Sequence, residues 1–155
     1  MASPYITPEG FEKLKTDYKN IWDKRRIVVN ALSDAAAEGD RSENAEYIYR
    51  KKELRHIDSK IRYLQNRLHE LRIVDNIKDT EHIYFGAWVT LEDLSANNIL
   101  RKRIVGYDEL DFHEDYISID SPLARSLLNK SIQEVIEYTI KNSQITYKII
   151  NITYP

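Results

Sequence analysis

The sequence contains no cysteine, which excludes disulfide bonds and metal sites built on thiolates. It also lacks any apolar run near the roughly 18 residues that a membrane-spanning helix needs. The first ten residues carry neither the basic nor the apolar segment of a signal peptide. We therefore predict a protein of the cytoplasm that has no membrane partner.

Motifs typical of enzymes are missing as well. Residues 77–155 contain no Gly-rich phosphate loop and no obvious nucleophile, and the four histidines stand far apart along the chain. Charge is plentiful but uneven: residues 11–72 hold 15 Lys and Arg against 11 Asp and Glu, whereas the other positions hold 8 against 14. This asymmetry predicts that the two parts of the chain contact different partners.

The first half of the chain has the pattern of two long helices. Thr7 and Pro8 form a typical helix start, as cap and first helical residue. Further along, apolar residues recur at alternating spacings of three and four: Leu54, Ile57, Ile61, Leu64, Leu68 and Leu71. Neither of the two predicted helical segments contains an internal proline. The pattern predicts two helices of about 28 to 30 residues, each about 40 to 45 Å long, that fold back at residues 37–42.

The predicted turn contains Gly39, Asp40 and Glu43, and this spacing allows two interpretations. Gly39 permits the backbone reversal, and Asp40 could cap the second helix with Glu43 as its capping-box partner. Alternatively, the two carboxylates could bind Mg²⁺, but weakly, because this ion keeps several waters and shares its ligands with phosphate. Such a turn could complete a metal site that another protein provides.

A basic segment follows the turn, since residues 50–67 hold seven Lys and Arg against two Asp and Glu. A solvated helix face is the ordinary interpretation of such a run, and attraction to a polyanion is the alternative. After the seam stops near residue 73, strands are predicted at 83–92, 100–110, 115–120, 132–140 and 144–154. A short helix at 121–130 has Ser121 as its cap and Pro122 at its first position.

Together these residues resemble the GreA/GreB family of transcript cleavage factors of bacterial RNA polymerase, with the later matches favouring the GreB branch. The resemblance covers nearly the whole chain. It rests on the segments "TPEGFEKLK", "GDRSENAEY", "KKELRHIDSKIRYL", "YFGAWV", "RIVGYDE" and "DYISIDSPLARSLLNK". It implies an α+β protein, in which an antiparallel coiled-coil hairpin (1–76) precedes a small FKBP-like antiparallel β domain with one helix (77–155).

The family resemblance also implies a function. Such a factor is not a nuclease: it docks at the rim of the polymerase secondary channel, inserts its hairpin and stimulates hydrolysis of the RNA 3′ end in backtracked complexes. It would act as a monomer, with Mg²⁺ shared with the polymerase and not stably bound by the factor alone. Asp40 and Glu43 match the acids that hold this second ion and position the attacking water.

Other positions match further parts of the family pattern. The remaining tip motif corresponds to Ser42, Asn44 and Tyr47. The basic patch that engages the RNA 3′ segment includes Lys51, Lys52 and Arg55. The loop that meets the polymerase rim corresponds to Asp120, Ser121 and Pro122.

The sequence departs from the family in its last strands. Gln133 replaces a glycine that is typical of the GreB branch, and "IKNSQITY" replaces the usual hairpin turn. These changes bear on local strand geometry and on polymerase affinity. Three other functions stay open: a channel-binding inhibitor without cleavage stimulation, a passive coiled-coil module and a stand-alone metal-dependent hydrolase, for which further ligands are lacking.

Overall fold

The structure, a computed structural model, describes residues 2–40, 43–75 and 78–155. The chain forms two compact units, Phe11–Glu70 and a second that joins Met1–Gly10 to Leu71–Pro155. This division differs from the predicted domains 1–76 and 77–155, because the first ten residues belong with the C-terminal part. Strand β1 (Tyr5–Ile6) pairs in parallel with strand β2 (Arg72–Ile73), which holds the N-terminal segment there.

The helical unit is built from the two predicted helices. Helix α1 covers Pro8–Ala36 and helix α2 covers Ala45–Glu70. As predicted, Thr7 caps α1, and its hydroxyl accepts a hydrogen bond of 3.0 Å from the backbone N–H of Gly10. The helices run antiparallel, since Arg25 on α1 forms a 2.7 Å ion pair with Asp58 on α2, while Ala35 lies beside Asn44.

Apolar residues hold α1 and α2 together along the predicted seam. Val28, Ile57 and Ile61 are buried there, and Tyr18, Ile21 and Leu54 pack around them while partly exposed. Spacings of three and four place such residues on one face of each helix, so burying that face stabilises the hairpin.

The second unit contains a five-stranded sheet. Its strands are β3 (Trp88–Asp93), β4 (Asn98–Val105), β5 (Tyr116–Ser118), β6 (Val135–Ile140) and β7 (Ser143–Thr153), in the spatial order β5-β4-β3-β7-β6. A 3₁₀ helix (Tyr107–Phe112) lies between β4 and β5, and helix α3 (Pro122–Leu127) lies between β5 and β6. The core is apolar and includes Ile83, Val89, Leu91, Ile104, Leu127 and Ile149, all fully buried.

The predicted α+β fold, a helical hairpin followed by a small β domain, is confirmed, and α3 is the one α-helix of that domain among the described residues. The prediction that its sheet is antiparallel holds for three of the four strand pairings and fails for the fourth. Strand β5 pairs in parallel with β4, Arg103 being opposite Tyr116, so the sheet is mixed. The segment that contains the 3₁₀ helix brings the chain back beside the last three residues of β4, 103–105, and this crossover makes the parallel pairing possible. The same helix takes up residues predicted as the end of the strand 100–110, and β3 begins at Trp88, later than the predicted start at residue 83.

A buried carboxylate fixes the start of α1 within this second unit. Glu109, only 1% exposed, accepts hydrogen bonds from the Thr7 hydroxyl, from the Thr7 backbone N–H at 3.1 Å and from the Gly106 N–H at 2.8 Å. A Cβ at Gly10 would lie 2.0 Å from Glu109 Oε1, which explains a glycine in the first turn of a long helix. None of the helices within the described ranges is long and apolar enough to cross a membrane.

Candidate functional site

The turn between α1 and α2 presents both predicted metal-binding acids to solvent. Helix α1 ends at Ala36, and Gly39 has a φ of +137°, a value that favours glycine, as predicted for the reversal. The side chains of Asp40 and Glu43 are exposed. Ser42, which was predicted to belong to the same motif, lies outside the described residues.

Asn44, not Asp40, caps helix α2. Its Oδ1 accepts a 3.1 Å hydrogen bond from the backbone N–H of Tyr47, and its Nδ2 donates at 2.8 Å to the carbonyl of Ala35. Helix α2 begins at Ala45, five residues after Asp40, so the interpretation of Asp40 and Glu43 as a capping box is wrong. Asn44 therefore stabilises the turn, because it caps α2 and bonds to the end of α1.

The donor set at the turn fits part of a Mg²⁺ site. Carboxylate oxygens are the ligands that this hard cation prefers, and Asp40 and Glu43 lie three residues apart in an exposed turn. Over the part of the chain that the structure describes, no group of three or more His, Cys, Asp or Glu residues could hold a metal ion. The acids could therefore contribute two ligands to an ion whose other ligands come from elsewhere.

The predicted basic patch lies on the exposed surface of α2. Lys51, Lys52 and Arg55 are all exposed, and among the described residues none of the three takes part in an ion pair. Lys51 Nζ lies 5.9 Å from the centre of the Tyr47 ring, a cation–π contact that links the patch to the tip motif. These charges are therefore available to an anionic partner.

Arg50 differs from its neighbours because its charge is compensated locally. It pairs with Glu46 and with Glu53, both at 2.9 Å. Hydrogen bonds to these two carboxylates, that to Glu53 foremost, raise the pKa of Arg50 above its ordinary value. The positive surface that remains uncompensated is therefore narrower than the seven basic residues of the segment suggest.

A cleft between the helices extends this positive surface onto α1. Its volume is about 480 Å³, and three lysines line it against one glutamate: Lys24, Lys52 and Lys60 with Glu53. Tyr49, 58% exposed, forms part of its wall. Lys24 was not among the predicted site residues, although the antiparallel pairing of the two helical patterns would have placed it opposite the basic segment.

The predicted docking loop lies in the other unit, before α3. As predicted, Ser121 caps α3, its hydroxyl accepting a 3.2 Å hydrogen bond from the Ala124 N–H, and Pro122 is the exposed first residue of the helix. The Asp120 carboxylate accepts hydrogen bonds from the hydroxyl of Ser3 and from its backbone N–H, the latter at 2.8 Å. These bonds lower the pKa of Asp120 from its ordinary value.

Comparison with known proteins accounts for both units. Residues 4–73 match the family described as "Transcription elongation factor, N-terminal", and residues 78–154 match "Transcription elongation factor, GreA/GreB, C-term". The chain is also 49% identical to "Transcription elongation factor GreB" of Xanthomonas axonopodis pv. citri, over 99% of this chain and 92% of the relative. The chain belongs to the GreA/GreB family of transcription elongation factors.

Two further comparisons differ in weight. The GreB factor of Pseudomonas aeruginosa is 49% identical, again over 99% of this chain and 92% of its own length. The crystal structure of GreA factor homolog 1 (Gfh1) of Thermus thermophilus covers 96% of this chain and 97% of its own, at 20% identity and a TM-score of 0.44. At that level the structural similarity supports no inference about function.

Membership of the GreA/GreB family fixes the general role of this protein. It is a bacterial transcription elongation factor, an accessory protein of RNA polymerase and not an enzyme itself. The family resemblance noted in the sequence is thus confirmed. The assignments of single residues to metal, RNA and polymerase stay predictions.

Proposed function

We propose that this protein inserts its α1–α2 hairpin into the secondary channel of RNA polymerase and stimulates cleavage of the RNA 3′ end in backtracked complexes. The observation that carries the proposal is that the residue that caps α2 is not one of the two acids of the turn. Asn44 caps α2, while Asp40 and Glu43 are exposed to solvent. Two exposed acids that do not cap α2, in a turn between helices of 29 and 26 residues, are accessible to a partner.

The two carboxylates would serve as ligands of a Mg²⁺ ion whose remaining ligands belong to the polymerase and the RNA. When bound, this ion supplies an activated water and stabilises developing charge on oxygen. Asp40 and Glu43 contribute negatively charged oxygens and would orient the attacking water by hydrogen bonding. This role needs exposed side chains at an accessible turn, and both acids meet that requirement.

The basic surface behind the turn would hold the extruded RNA. Lys51, Lys52 and Arg55 are exposed and form no ion pair with any acid that the structure describes, so they can contact phosphates. The cleft lined by Lys24, Lys52 and Lys60 adds charge from α1, and the exposed ring of Tyr49 offers a face on which a base can stack. The loop that contains Asp120, Ser121 and Pro122 would meet the rim of the channel.

The test is RNA cleavage in purified backtracked elongation complexes of bacterial RNA polymerase, at saturating factor and limiting Mg²⁺. Asp40→Asn and Glu43→Gln should each lower the stimulated rate by a factor of about 10² or more, because a charged metal ligand is lost. Raising Mg²⁺ should restore part of the rate. Asp34→Asn, a change at an exposed acid on α1, is the matched control and should behave as wild type.

Three outcomes separate the remaining functions. Wild-type stimulation by Asp40→Asn at limiting Mg²⁺ would remove the role in metal binding. Binding of the wild-type protein without any stimulation would favour the channel-binding inhibitor. RNA degradation without polymerase would favour a stand-alone hydrolase.

A further inference from the structure

The predicted docking loop is tied to the N-terminal segment by a pair of hydrogen bonds. Asp120 Oδ2 accepts from the backbone N–H of Ser3 at 2.8 Å, and Asp120 Oδ1 accepts from the Ser3 hydroxyl. The two residues are 117 positions apart in sequence, and both lie in the same compact unit. Hydrogen bonds to an ionised carboxylate are stronger than those between neutral groups, so this contact is a specific link.

The rest of the loop is also committed to contacts within the unit. The Asp120 N–H donates to the Ser118 hydroxyl at 3.0 Å, and the Ser121 N–H donates to the Ser118 carbonyl at 2.9 Å. The Ser121 hydroxyl caps α3. Both Asp120 and Ser121 are half-buried, whereas Pro122 is exposed. Direct contact with a partner therefore falls more readily to Pro122 than to the two polar side chains.

The N-terminal segment is held at both ends. At one end Ser3 is bound by Asp120, and at the other Thr7 is 2% exposed and bonded to the buried carboxylate of Glu109. Ile6, fully buried, pairs with Ile73 between these ends. Pro4 is held as well, since its carbonyl accepts a 2.6 Å hydrogen bond from the Arg72 N–H. Loss of the contact with Asp120 would thus loosen residues 2 and 3 while the remainder of the segment stays in place.

We propose that Ser3 and Asp120 are positioning residues for docking to RNA polymerase: the Asp120 carboxylate fixes Ser3, so that residues 2–4 and the loop 118–122 form one docking surface. Asp120 then acts through Ser3 and not by touching the polymerase. This inference rests on the proposed function, in which the loop meets the rim of the secondary channel. The hydrogen bonds from Ser3 also lower the pKa of the Asp120 carboxyl from its ordinary value.

A double-mutant cycle on the full chain tests the proposal. Dissociation constants for RNA polymerase would be measured for wild type, Ser3→Ala, Asp120→Ala and the double variant, together with the half-saturating concentration and maximal rate of stimulated cleavage. We expect Ser3→Ala to weaken binding about 3- to 10-fold, the equivalent of one net hydrogen bond. The double variant should bind no more weakly than Asp120→Ala, because the two residues act as one contact.

Controls distinguish positioning from general loss of structure. Ser3→Thr keeps the hydroxyl and should restore binding, while Ser95→Ala, at an exposed loop serine of the same unit, should bind as wild type. At saturating concentration, Ser3→Ala should reach the wild-type maximal rate, because docking and not the tip is altered. Melting temperatures would show whether each variant is folded, and Ser3→Ala alone carries the test if Asp120→Ala unfolds.

Several results would overturn the inference. Wild-type affinity of Ser3→Ala with a large loss for Asp120→Ala, or multiplicative losses in the double variant, would mean that Asp120 touches the polymerase itself. A lower maximal rate for Ser3→Ala at unchanged affinity would mean that Ser3 affects cleavage and not docking. If the wild-type chain fails to bind polymerase, the proposed function falls and this inference falls with it.

Discussion

Asn44→Ala should destabilise the helical hairpin, because Asn44 holds the turn in which the acids Asp40 and Glu43 lie. Asn44 caps α2 through Oδ1 and bonds the end of α1 through Nδ2, with distances of 3.1 and 2.8 Å. Loss of an N-cap costs about 0.5–2 kcal/mol, and loss of a hydrogen bond costs about 0.5–1.5 kcal/mol. Because the side chain is half-buried, we expect a total loss of about 1–3 kcal/mol in the free energy of unfolding.

Denaturant unfolding followed by far-ultraviolet circular dichroism at 222 nm measures this loss. Helices α1 and α2 contain 29 and 26 residues against six in α3, so the signal reports mainly on the hairpin. Asn44→Asp keeps the cap and removes the Nδ2 donor, and should lose about half as much. Asp40→Ala is the comparison and should lose less than Asn44→Ala, because Asp40 lies five residues before the start of α2 and does not cap it. If Asp40→Ala is destabilised while Asn44→Ala is not, the cap has been assigned to the wrong residue.

Three further changes test other parts of the fold and site. Gln133 has a φ of +77°, so Gln133→Gly should raise the free energy of unfolding by about 0.5–1.5 kcal/mol; an unchanged denaturation midpoint would argue against strain there. Gly10→Ala should cost about 2–4 kcal/mol by thermal unfolding, because its Cβ would meet a buried carboxylate oxygen at 2.0 Å; wild-type stability would contradict this contact. Replacing Lys51, Lys52 and Arg55 by glutamine should leave stability within about 1 kcal/mol per residue but reduce stimulated cleavage, more so at high salt; a large loss of melting temperature would instead make the patch structural.

Features of the fold that depend on neighbouring residues could be predicted from the sequence. The caps at Thr7 and Ser121 were found because each is completed by an N–H three residues later. The helical seam was found because burial of one face imposes a spacing of three and four residues. In both cases, the residues that decide the structure lie within one or two turns of each other.

Features that depend on distant partners were missed. The parallel pairing of β5 with β4 joins Arg103 to Tyr116 across a 3₁₀ helix, and a strand pattern does not reveal the direction of its neighbour. The carboxylate of Glu109 binds Thr7, which lies 102 positions away in the sequence. Gly10 was an indirect sign of this contact, because a glycine inside a helical pattern often marks a close packing partner. Lys24 could be assigned to the same cleft as Lys60 only once the pairing of α1 with α2 was known.

At both departures from the family pattern, non-glycine residues have a positive φ. Gln133 stands where a glycine is typical of the GreB branch, and its φ is still positive, with its N–H bonded to the carbonyl of Ile149 at 2.7 Å. Lys141 and Asn142 form the two-residue turn between β6 and β7 with φ values of 47° and 67°. Both central residues of a type I′ turn have positive φ, which asparagine tolerates better than lysine. The sheet pairing therefore dictates these conformations, and the substituted side chains accept the strain.

The turn between α1 and α2 separates the residues that fold it from those that we assign to chemistry. Gly39 provides the backbone reversal and Asn44 provides the cap, and neither task requires a negative charge. Asp40 and Glu43 can therefore be neutralised while the cap and the reversal are kept. A loss of stimulated cleavage in Asp40→Asn would then measure a lost metal ligand, since the hydrogen bonds of Asn44 that close the hairpin remain in place. Had Asp40 been the cap, a truncation such as Asp40→Ala would have mixed folding with function.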